Sequence, residues 1–270
     1  MSGKDFGPAQ APVRPAYGDD VERRRGAPST LVADALDEVL AARAAHVGRA
    51  ALEVVDVGAG TGGFAVRLAR LGHHVTVVDP SPDALAAARW RAAEVGVTLT
   101  AVQGEAGDLA GLVGEGTADL VVCHNVLEYV DSPAAAMAAI ARVLQPGGTV
   151  SVLAANVVAA VLQRALAGRY DDARRLLTAS AGDQVPPAVA VAAQGLTEHR
   201  RFTLAELTAL IEGTGLRAGD AFGVRIFGGL LPGAGADPAT ADALRDLEEA
   251  AAAYPALRDI AARLHIFGHR

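Results

Sequence analysis

The stretch Leu52–Asp79 constrains the fold more than any other part of the chain. It contains an apolar run, a cluster of glycines, a helical pattern and a second apolar run that ends in Asp79. This order predicts two parallel strands joined by a glycine turn and a helix. A glycine turn lets a ligand approach the backbone closely, and an acid at the tip of the second strand can bind ribose hydroxyls. The stretch therefore predicts a site for a ligand that contains a ribose.

Short apolar runs continue to alternate with helical patterns after this stretch, which is typical of parallel strands joined by right-handed crossovers. The predicted strands are Leu52–Val57, Val75–Asp79, Thr98–Val102, Asp119–Cys123, Thr149–Ala154, Ala218–Phe227 and Leu264–Gly268. The predicted helices are one from an N-cap at Ser29 to Arg43, then Gly63–Leu71, Pro82–Val95, Asp108–Val113, Pro133–Leu144, Val157–Leu166, Asp171–Leu177, Thr203–Glu212, and Ala239–Arg263 with a break at Pro255. We expect an α/β fold with three layers and a doubly wound, mostly parallel, seven-stranded sheet.

The domain organisation follows from where this alternation begins and stops. Residues 1–21 contain three prolines with Gly and Ala between them, which predicts a flexible lead-in. Residues 22–270 then form one domain. The alternation is interrupted at about 156–201, where two helical patterns and a loop at Thr178–Gln194 predict a helical cap on the acceptor side. Gly228–Pro238 is predicted to be a second loop.

Composition and charge narrow the class of protein. The net charge is −7, so nucleic acid would need a local basic patch. Cys123 is the only cysteine, which excludes an intramolecular disulfide and a CxxC metal site, and we predict no metal. The N-terminus lacks a signal pattern, and the most apolar stretch is too short and too polar to span a bilayer. We expect a cytoplasmic protein without a membrane partner.

The glycines alone do not decide which ligand binds, because Gly58, Gly60 and Gly63 also satisfy the GxGxxG pattern of dinucleotide sites. Asp56 favours S-adenosylmethionine (SAM), since its carboxylate would face the methionine ammonium but would repel a pyrophosphate. The ending after the fifth strand, with Pro146-Gly147-Gly148 and two more strands, also favours SAM. An NAD-binding oxidoreductase remains an alternative, as does a SAM-binding module without catalysis.

Further candidate residues lie at the ends of the predicted strands. Asp79 follows Gly58 by 21 residues, the spacing of a ribose-binding acid, although it could also cap a helix. Ala106 and Gly107 are small enough for an adenine ring to lie flat, and Asp108 could accept from the adenine amino group or act as an N-cap. His124 could contact the methionine part of the cofactor or act as a general base.

Several segments resemble a known family. His124–Val130, Leu144–Gly148 and Gly223–Phe227 are similar to segments of the bacterial tRNA 5-carboxymethoxyuridine methyltransferases, a group of class I SAM-dependent methyltransferases. The resemblance covers roughly Leu31 to the C-terminus. It implies cofactor contacts at Arg25, Gly58, Ala59, Asp79, Ala106, Gly107 and His124. Arg225, in the third of these segments, could orient an acceptor carboxylate through its planar guanidinium, or it could be a solvated charge at a strand end.

The resemblance implies O-methylation of a carboxylate on a modified tRNA nucleotide, with a small-molecule carboxylate as the alternative acceptor. The family carries a lysine-rich run where this chain has no cation, at residues 183–190. The arginines at 23–25, 174–175 and 200–201 could still form a phosphate track. A carboxylate is already ionised near neutral pH and needs no general base, whereas a hydroxyl acceptor would use His124.

Overall fold

The computed structural model describes residues 30–180, 199–230 and 238–270. The strands are β1 (Glu53–Val57), β2 (His74–Asp79), β3 (Thr100–Gln103), β4 (Ala118–His124), β5 (Leu144–Ala155), β6 (Arg217–Val224) and β7 (Arg263–His269). The helices are α1 (Thr30–Val47), α2 (Gly63–Arg70), α3 (Pro82–Glu94), α4 (Leu109–Val113), α5 (Pro133–Val143), α6 (Val157–Leu166), α7 (Tyr170–Ser180), α8 (Leu204–Glu212), α9 (Ile226–Leu230), α10 (Pro238–Ala252) and α11 (Pro255–Arg258), with a 3₁₀ turn at Ala106–Asp108.

The strands form one seven-stranded sheet in the order β3-β2-β1-β4-β5-β7-β6. Pairing is parallel from β3 to β5, and β7 is antiparallel to both of its neighbours. This confirms the predicted doubly wound, mostly parallel α/β architecture. The chain leaves β1 toward β2 on one side and continues with β4 on the other, so the crevice at the carboxyl ends of β1 and β4 is the topological switch point where such folds bind ligands.

The reversed direction of β7 brings its first residue to the same edge of the sheet. Arg263 pairs with Ala155, the last residue of β5, and with Val224, the last residue of β6. Because β6 runs in the same direction as β5, the chain that leaves β6 also begins at the carboxyl edge of the parallel strands. The ends of β1, β4, β5 and β6 and the start of β7 therefore lie at one edge of the sheet.

Apolar side chains cover both faces of the sheet. On one face, Val32, Leu36 and Leu40 of α1 pack in a buried cluster with strand residues such as Val54 and Val122. On the other face, α5 and α8 contribute Met137, Ile140, Leu207 and Ile211 to a larger cluster. Burial on both faces explains why the central strands read as continuous apolar runs rather than alternating ones.

A buried carboxylate fixes α1 to the sheet. Asp119 is 1% exposed. One of its oxygens accepts from Arg43 Nε at 2.9 Å, and the other accepts from Arg49 at 2.7 Å and from the backbone N–H of Glu53 at 2.9 Å. These bonds join the end of α1, the start of β1 and the start of β4, and they compensate for the burial of the charge.

The prediction of a strand over Ala218–Phe227 is wrong at its end. The strand ends at Val224, and Ile226–Leu230 forms a short helix. Arg225 turns the chain with a φ of 59°, and the Glu248 carboxylate accepts from three consecutive backbone N–H groups that begin at Ile226, at 2.6–2.9 Å. The sequence predicted a longer strand because its residue pattern continues past Arg225. It gives no sign that the distant Glu248 binds the backbone that follows Arg225. The predicted loop at Gly228–Pro238 consequently begins in a helix.

Other boundaries differ less. The break predicted at Pro255 within Ala239–Arg263 is confirmed, because Pro238–Ala252 is followed by a separate one-turn helix, Pro255–Arg258. The helical prediction is wrong after Arg258, where the chain turns and enters β7 at Arg263. The predicted loop from Thr178 is also wrong at its start, since α7 continues to Ser180. The lead-in, the N-cap at Ser29 and the rest of that loop, residues 181–194, lie outside the described residues.

The cap predicted at 156–201 begins and ends at the sheet edge. Asn156 and Phe202 form a parallel bridge, and the backbone of Phe202 bonds to Ala155 and Val157. The helices α6 and α7 lie between these two positions. In the described part of the chain, no helix is both long and apolar enough to cross a bilayer.

We expect Asp119→Ala to lower the free energy of unfolding by about 3–5 kcal/mol, because Arg43 is left as a buried charge without its partner. Urea denaturation measures this change. The matched control is Glu115→Ala, which removes an exposed ion pair with Arg142 and should cost less than about 1 kcal/mol. Equal losses in the two variants would contradict the role of Asp119.

Candidate active site

The glycine turn after β1 leaves no space for a side chain at its first position. Gly58 has a φ of 63°, and a Cβ added there would lie 2.6 Å from Val126 Cγ2. Its N–H donates to the Val78 carbonyl at 2.7 Å, which joins the turn to the end of β2. Gly60 also has a positive φ of 53°, but a Cβ there would meet no atom within 4 Å. The turn therefore offers open backbone at Ala59 and Gly60 to a ligand, and this fits a cofactor that needs close backbone approach.

Asp79, at the tip of β2, holds the turn in place. One carboxylate oxygen accepts from the Gly60 N–H and the other from the Ser81 N–H, both at 2.9 Å. The N-cap of α3 is Ser81, whose hydroxyl accepts from Ala84, so the alternative that Asp79 caps the helix is not observed. Asp79 is 7% exposed and lies at the carboxyl edge beside the turn, where a ribose-binding acid is expected.

Asp56 lies beneath the glycine turn and is buried. Burial, together with a smaller effect of the nearby Asp79 charge, raises the pKa of its carboxyl group to about 7, and a hydrogen bond from the Ala65 N–H acts in the opposite direction. Near neutral pH, a cation that approaches this carboxyl would favour the ionised form. The predicted role beside the methionine ammonium stays a prediction, and the shifted pKa provides a way to test it.

The chain after β3 reaches the same edge. Ala106 is buried, whereas a Cβ on Gly107 would meet no atom within 4 Å. Asp108 is exposed, it closes the 3₁₀ turn before α4, and its side chain makes no capping hydrogen bond. Asp108 therefore occupies the N-cap position of α4 without a capping hydrogen bond, and its contact with adenine stays a prediction.

His124, at the end of β4, belongs to a buried polar group. Its Nε2 lies 2.7 Å from Ser151 Oγ, and the same oxygen lies 2.7 Å from His265 Nε2. The ring meets Phe64, in the first turn of α2, edge to face with centroids 4.9 Å apart. Burial lowers the pKa of His124 to about 3, with a smaller contribution from the Arg263 charge. The next residue, Asn125, has a φ of 57° and a buried side-chain oxygen without a partner among the described residues.

A cavity of about 240 Å³ lies next to this group, at the ends of β5, β6 and the start of β7. Its lining includes Arg201, Arg225 and Arg263, and no acidic residue is among the described residues that line it. Behind it, the buried Glu128 accepts from the Ala155 N–H at 2.7 Å and interacts electrostatically with Arg201 and Arg263. Arg225 is exposed, and its guanidinium makes one long contact of 3.5 Å with the Gly228 carbonyl.

The sequence predictions thus converge on one edge of the sheet: Asp56, Gly58, Ala59, Gly60, Asp79, Ala106, Gly107, Asp108, His124 and Arg225 all lie at or next to the carboxyl ends of strands. Arg25 lies outside the described residues. Sequence reasoning missed Ser151, Glu128, His265 and Arg263. The signal for Ser151 and His265 was a polar residue inside an otherwise apolar strand. Arg263 gave no comparable signal, because it was assigned to the end of a helix.

No group of three or more His, Cys, Asp or Glu side chains arranged to hold a metal ion is present among residues 30–180, 199–230 and 238–270. Cys123 is fully buried in β4, and burial raises the pKa of its thiol far above the usual range. It is therefore not a nucleophile at neutral pH.

Comparison with known proteins agrees with this geometry. Residues 55–152 match the family model described as "Methyltransferase domain". The tRNA 5-carboxymethoxyuridine methyltransferase of Escherichia coli K12 is 33% identical over 138 residues, which is 50% of this chain and 51% of the relative. The ubiquinone biosynthesis O-methyltransferase of Aeromonas salmonicida is 31% identical over 173 residues, 63% of this chain and 65% of the relative. The chain thus spans from half to just under two thirds of the length of these relatives.

Solved structures share the fold at lower identity. The magnesium protoporphyrin IX methyltransferase of Synechocystis, with bound SAH, superposes with a TM-score of 0.57 at 15% identity, over 98% of this chain and 90% of the other. A SAM-dependent methyltransferase from Mesorhizobium loti gives a TM-score of 0.54 at 22% identity, over 82% of this chain and 91% of the other.

The sheet order with its reversed β7, together with the glycine turn and the acid of β2, defines a class I SAM-dependent methyltransferase fold. Residues 55–152 also match the methyltransferase domain, in agreement with this fold. Both findings favour a SAM site over a dinucleotide site at Leu52–Asp79, and the roles of the individual residues stay predictions.

We expect Gly58→Ala to abolish measurable SAM binding and to lower the free energy of unfolding by about 2–4 kcal/mol, because the new methyl group overlaps Val126 and the φ is strained. Gly60→Ala is the matched control, because Gly60 also has a positive φ but an added Cβ would meet no atom within 4 Å. This change should lower the free energy of unfolding by about 1 kcal/mol. Isothermal titration calorimetry and urea denaturation measure both. The Gly58→Ala Val126→Ala double variant should recover part of the stability, and no recovery would contradict the overlap.

We expect SAM affinity to rise about tenfold between pH 6 and pH 8, because the raised pKa of Asp56 leaves its carboxyl mostly protonated at pH 6 and a bound ammonium requires the ionised form. Asp56→Asn should weaken binding and remove this pH dependence. Asp108→Asn, at an exposed acid, should keep it. An affinity independent of pH in the unaltered protein would show that no cation binds beside Asp56.

Proposed function

We propose that this protein transfers the methyl group of SAM to a carboxylate oxygen of a small acceptor molecule. The observation that carries the proposal is the cavity lined by Arg201, Arg225 and Arg263 at the carboxyl edge of the sheet. A guanidinium binds a carboxylate through two parallel hydrogen bonds, which fixes both the position and the orientation of the anion. Glu128 interacts electrostatically with Arg201 and Arg263. We therefore assign Arg225 to the binding of the acceptor carboxylate.

The position of the cavity relative to the glycine turn supports this assignment. The turn follows β1, and the cavity lies at the end of β5; β4 is the one strand between β1 and β5. Adjacent strands are about 4.8 Å apart, so the turn and the cavity are separated by roughly 10 Å across the crevice. A cofactor held at the turn and at Asp79 can therefore present its reactive end toward an acceptor held by Arg225.

The residues at the edge suit a reaction that depends on positioning. When bound, SAM supplies a methyl group on a positively charged sulfur, and transfer to oxygen is an in-line displacement. Gly58–Gly60 and Asp79 hold the donor side, while Arg225 holds the acceptor oxygen in line with the methyl group. An acceptor carboxylate is ionised near neutral pH and needs no proton removal, which agrees with a site in which burial keeps His124 neutral.

The contacts of the arginines in the described part of the chain favour a small acceptor over tRNA. Arg174 and Arg175 form ion pairs with Asp171 and Asp172 on their own helix. Arg200 donates to backbone carbonyls, the nearest being Val130 at 2.9 Å. These side chains are engaged within the protein, so they are poor components of the predicted phosphate track, and the net charge of −7 adds to this argument. Arginines 23–25 lie outside the described residues.

Methylation of a carboxymethoxyuridine in tRNA is the second candidate function. The E. coli enzyme of that name is 33% identical over half of its length, and its acceptor name includes a carboxymethoxy group. The same guanidinium could bind that group. The two candidates share the donor site and the acceptor chemistry, and they differ only in the molecule that carries the carboxylate.

We expect Arg225→Ala to raise the acceptor KM by about 10- to 100-fold and to leave SAM affinity within twofold, because the guanidinium binds only the acceptor. Arg225→Lys should recover little, since an ammonium lacks the planar pair of donors. The control is Arg217→Ala, at the opposite end of β6, which should change neither constant. A parallel loss of SAM affinity in Arg225→Ala would place this residue in the cofactor site instead.

The acceptor itself is identified by incubating the protein with radiolabelled SAM, with total tRNA from a strain lacking this gene in one reaction and with a small-molecule extract of that strain in another. Label in the small-molecule fraction that is lost on mild alkaline hydrolysis, as a methyl ester is, supports the first candidate. Label in tRNA supports the second. Label that is stable to alkali would exclude a carboxylate acceptor.

A further inference from the structure

The turn that carries Arg225 is held by a carboxylate from a distant part of the chain. Glu248, on α10, lies 20 to 22 residues from the three backbone N–H groups that it binds. Its Oε2 accepts from Ile226 at 2.6 Å, and its Oε1 accepts from Phe227 at 2.9 Å and from Gly228 at 2.8 Å. The first N–H groups of a helix have no partner within that helix, so one carboxylate satisfies three of them at once.

The peptide group that follows Arg225 is bound at both of its ends. Its N–H, from Ile226, donates to Glu248, and its carbonyl oxygen accepts from the N–H of Ala262 at 3.2 Å and from that of Gly229 at 3.1 Å. Arg225 itself has a φ of 59°, in the left-handed region that residues with a side chain seldom adopt. These hydrogen bonds therefore hold Arg225 in a conformation that its own backbone disfavours.

The guanidinium of Arg225 depends on this backbone for its position. The residue is exposed, and within the described ranges its guanidinium makes one long contact, of 3.5 Å, with the carbonyl oxygen of Gly228. It nevertheless lines the cavity of about 240 Å³ at the carboxyl edge of the sheet. The direction in which the side chain leaves the backbone is therefore set by the groups that fix the peptide after Arg225, and Glu248 is one of them.

Apolar packing holds α10 against the turn independently of the carboxylate. Ala251, which lies about one helical turn after Glu248, belongs to a buried cluster with Ile226 and Ala261, and Phe227 packs against this cluster. Ile226 is fully buried. Loss of the Glu248 carboxylate should therefore leave α10 in place and act mainly on the conformation of the turn.

We propose that Glu248 is a positioning residue for the methyl acceptor and acts through Arg225. By binding the three N–H groups, it keeps Arg225 in the left-handed conformation in which the guanidinium lines the cavity. Without the carboxylate, Arg225 relaxes toward conformations with a negative φ, and only a fraction of the molecules presents the guanidinium to the acceptor. The inference rests on the proposed function for the role of Arg225, and it goes further by making α10 a determinant of acceptor affinity.

Kinetic constants of variants at position 248 test the inference, with the acceptor purified from whichever fraction takes up label from radiolabelled SAM. We expect Glu248→Ala to raise the acceptor KM about five- to twentyfold, because the strained conformation is then only partly populated. SAM affinity should stay within about twofold. Glu248→Gln should give an intermediate KM, since its amide oxygen can accept from two of the N–H groups while its NH₂ group faces the third. The control is Glu249→Ala, at the neighbouring exposed acid, which should change neither constant.

A double-mutant cycle separates the positioning of Arg225 from a general structural role. In Arg225→Ala the guanidinium is already lost, so the further change Glu248→Ala should raise the acceptor KM by less than about twofold. Two increases that multiply would show that Glu248 acts on the acceptor by another route and would overturn the inference. A loss of SAM affinity in Glu248→Ala would show a general disruption of the site and would overturn it as well.

Amide exchange tests the hydrogen bonds without an acceptor or a cofactor. We expect the N–H groups of Ile226, Phe227 and Gly228 to exchange with deuterium about tenfold faster in Glu248→Ala than in the unaltered protein, while those of β4 keep their protection. The same exchange rate at all three positions in both proteins would contradict the anchoring. If Glu248→Ala does not fold, Glu248→Gln provides the kinetic and exchange comparisons.

The outcomes distinguish this inference from the proposed function. A raised KM in Arg225→Ala with an unchanged KM in Glu248→Ala overturns the inference alone. Label that is stable to alkali overturns carboxylate methylation alone, because the cycle measures the KM of whichever acceptor takes up label. If neither variant changes the KM, Arg225 does not bind the acceptor, and this inference fails with that assignment.

Discussion

The carboxylate of Asp79 makes the contact on which the ligand edge depends. Its two oxygens accept from Gly60 in the glycine turn and from Ser81 before α3, so one side chain fixes the turn after β1 relative to the end of β2. The backbone bond from Gly58 to Val78 adds to this connection. The turn is thereby held open against the sheet, and Val126 fills the space behind it. These contacts orient the carboxylate of Asp79 at the edge where a ribose is expected to bind.

The reversed direction of β7 provides the other half of the edge. If all seven strands were parallel, the start of the last strand would lie at the far side of the sheet. Because β7 is antiparallel, Arg263 lies beside the last residues of β5 and β6, and the chain after β6 turns at Arg225. The positive φ of Arg225 is unusual for a residue with a side chain, and Glu248 stabilises the turn by binding the N–H groups that follow. Backbone strain at this arginine agrees with a role in binding.

The buried polar groups of this fold differ in whether all of their hydrogen-bonding atoms have partners. Asp119 is surrounded by donors and joins α1 to the sheet. The Ser151 hydroxyl bridges two rings whose outer nitrogens have no partner in the described parts of the chain. Glu128 also keeps one oxygen without a hydrogen-bond partner there. The fully satisfied carboxylate lies at the amino-terminal end of β4, and the incompletely satisfied groups lie toward the carboxyl edge.

The sequence by itself determined the α/β class, the order of the strands along the chain and the glycine turn with its acid at Asp79, because these depend on apolar periodicity and on the few residues that tolerate a tight turn. It also placed His124 at the end of β4 and Arg225 near the end of a predicted strand. It did not determine what surrounds them, since a hydroxyl on β5, an imidazole on β7 and an acid at position 248 are distant in the chain and meet only through strand pairing and helix packing. Only the tertiary structure decided that Arg263 joins Arg225 at the cavity, that residue 225 ends a strand instead of continuing it, and that Ser151 holds the ring of His124.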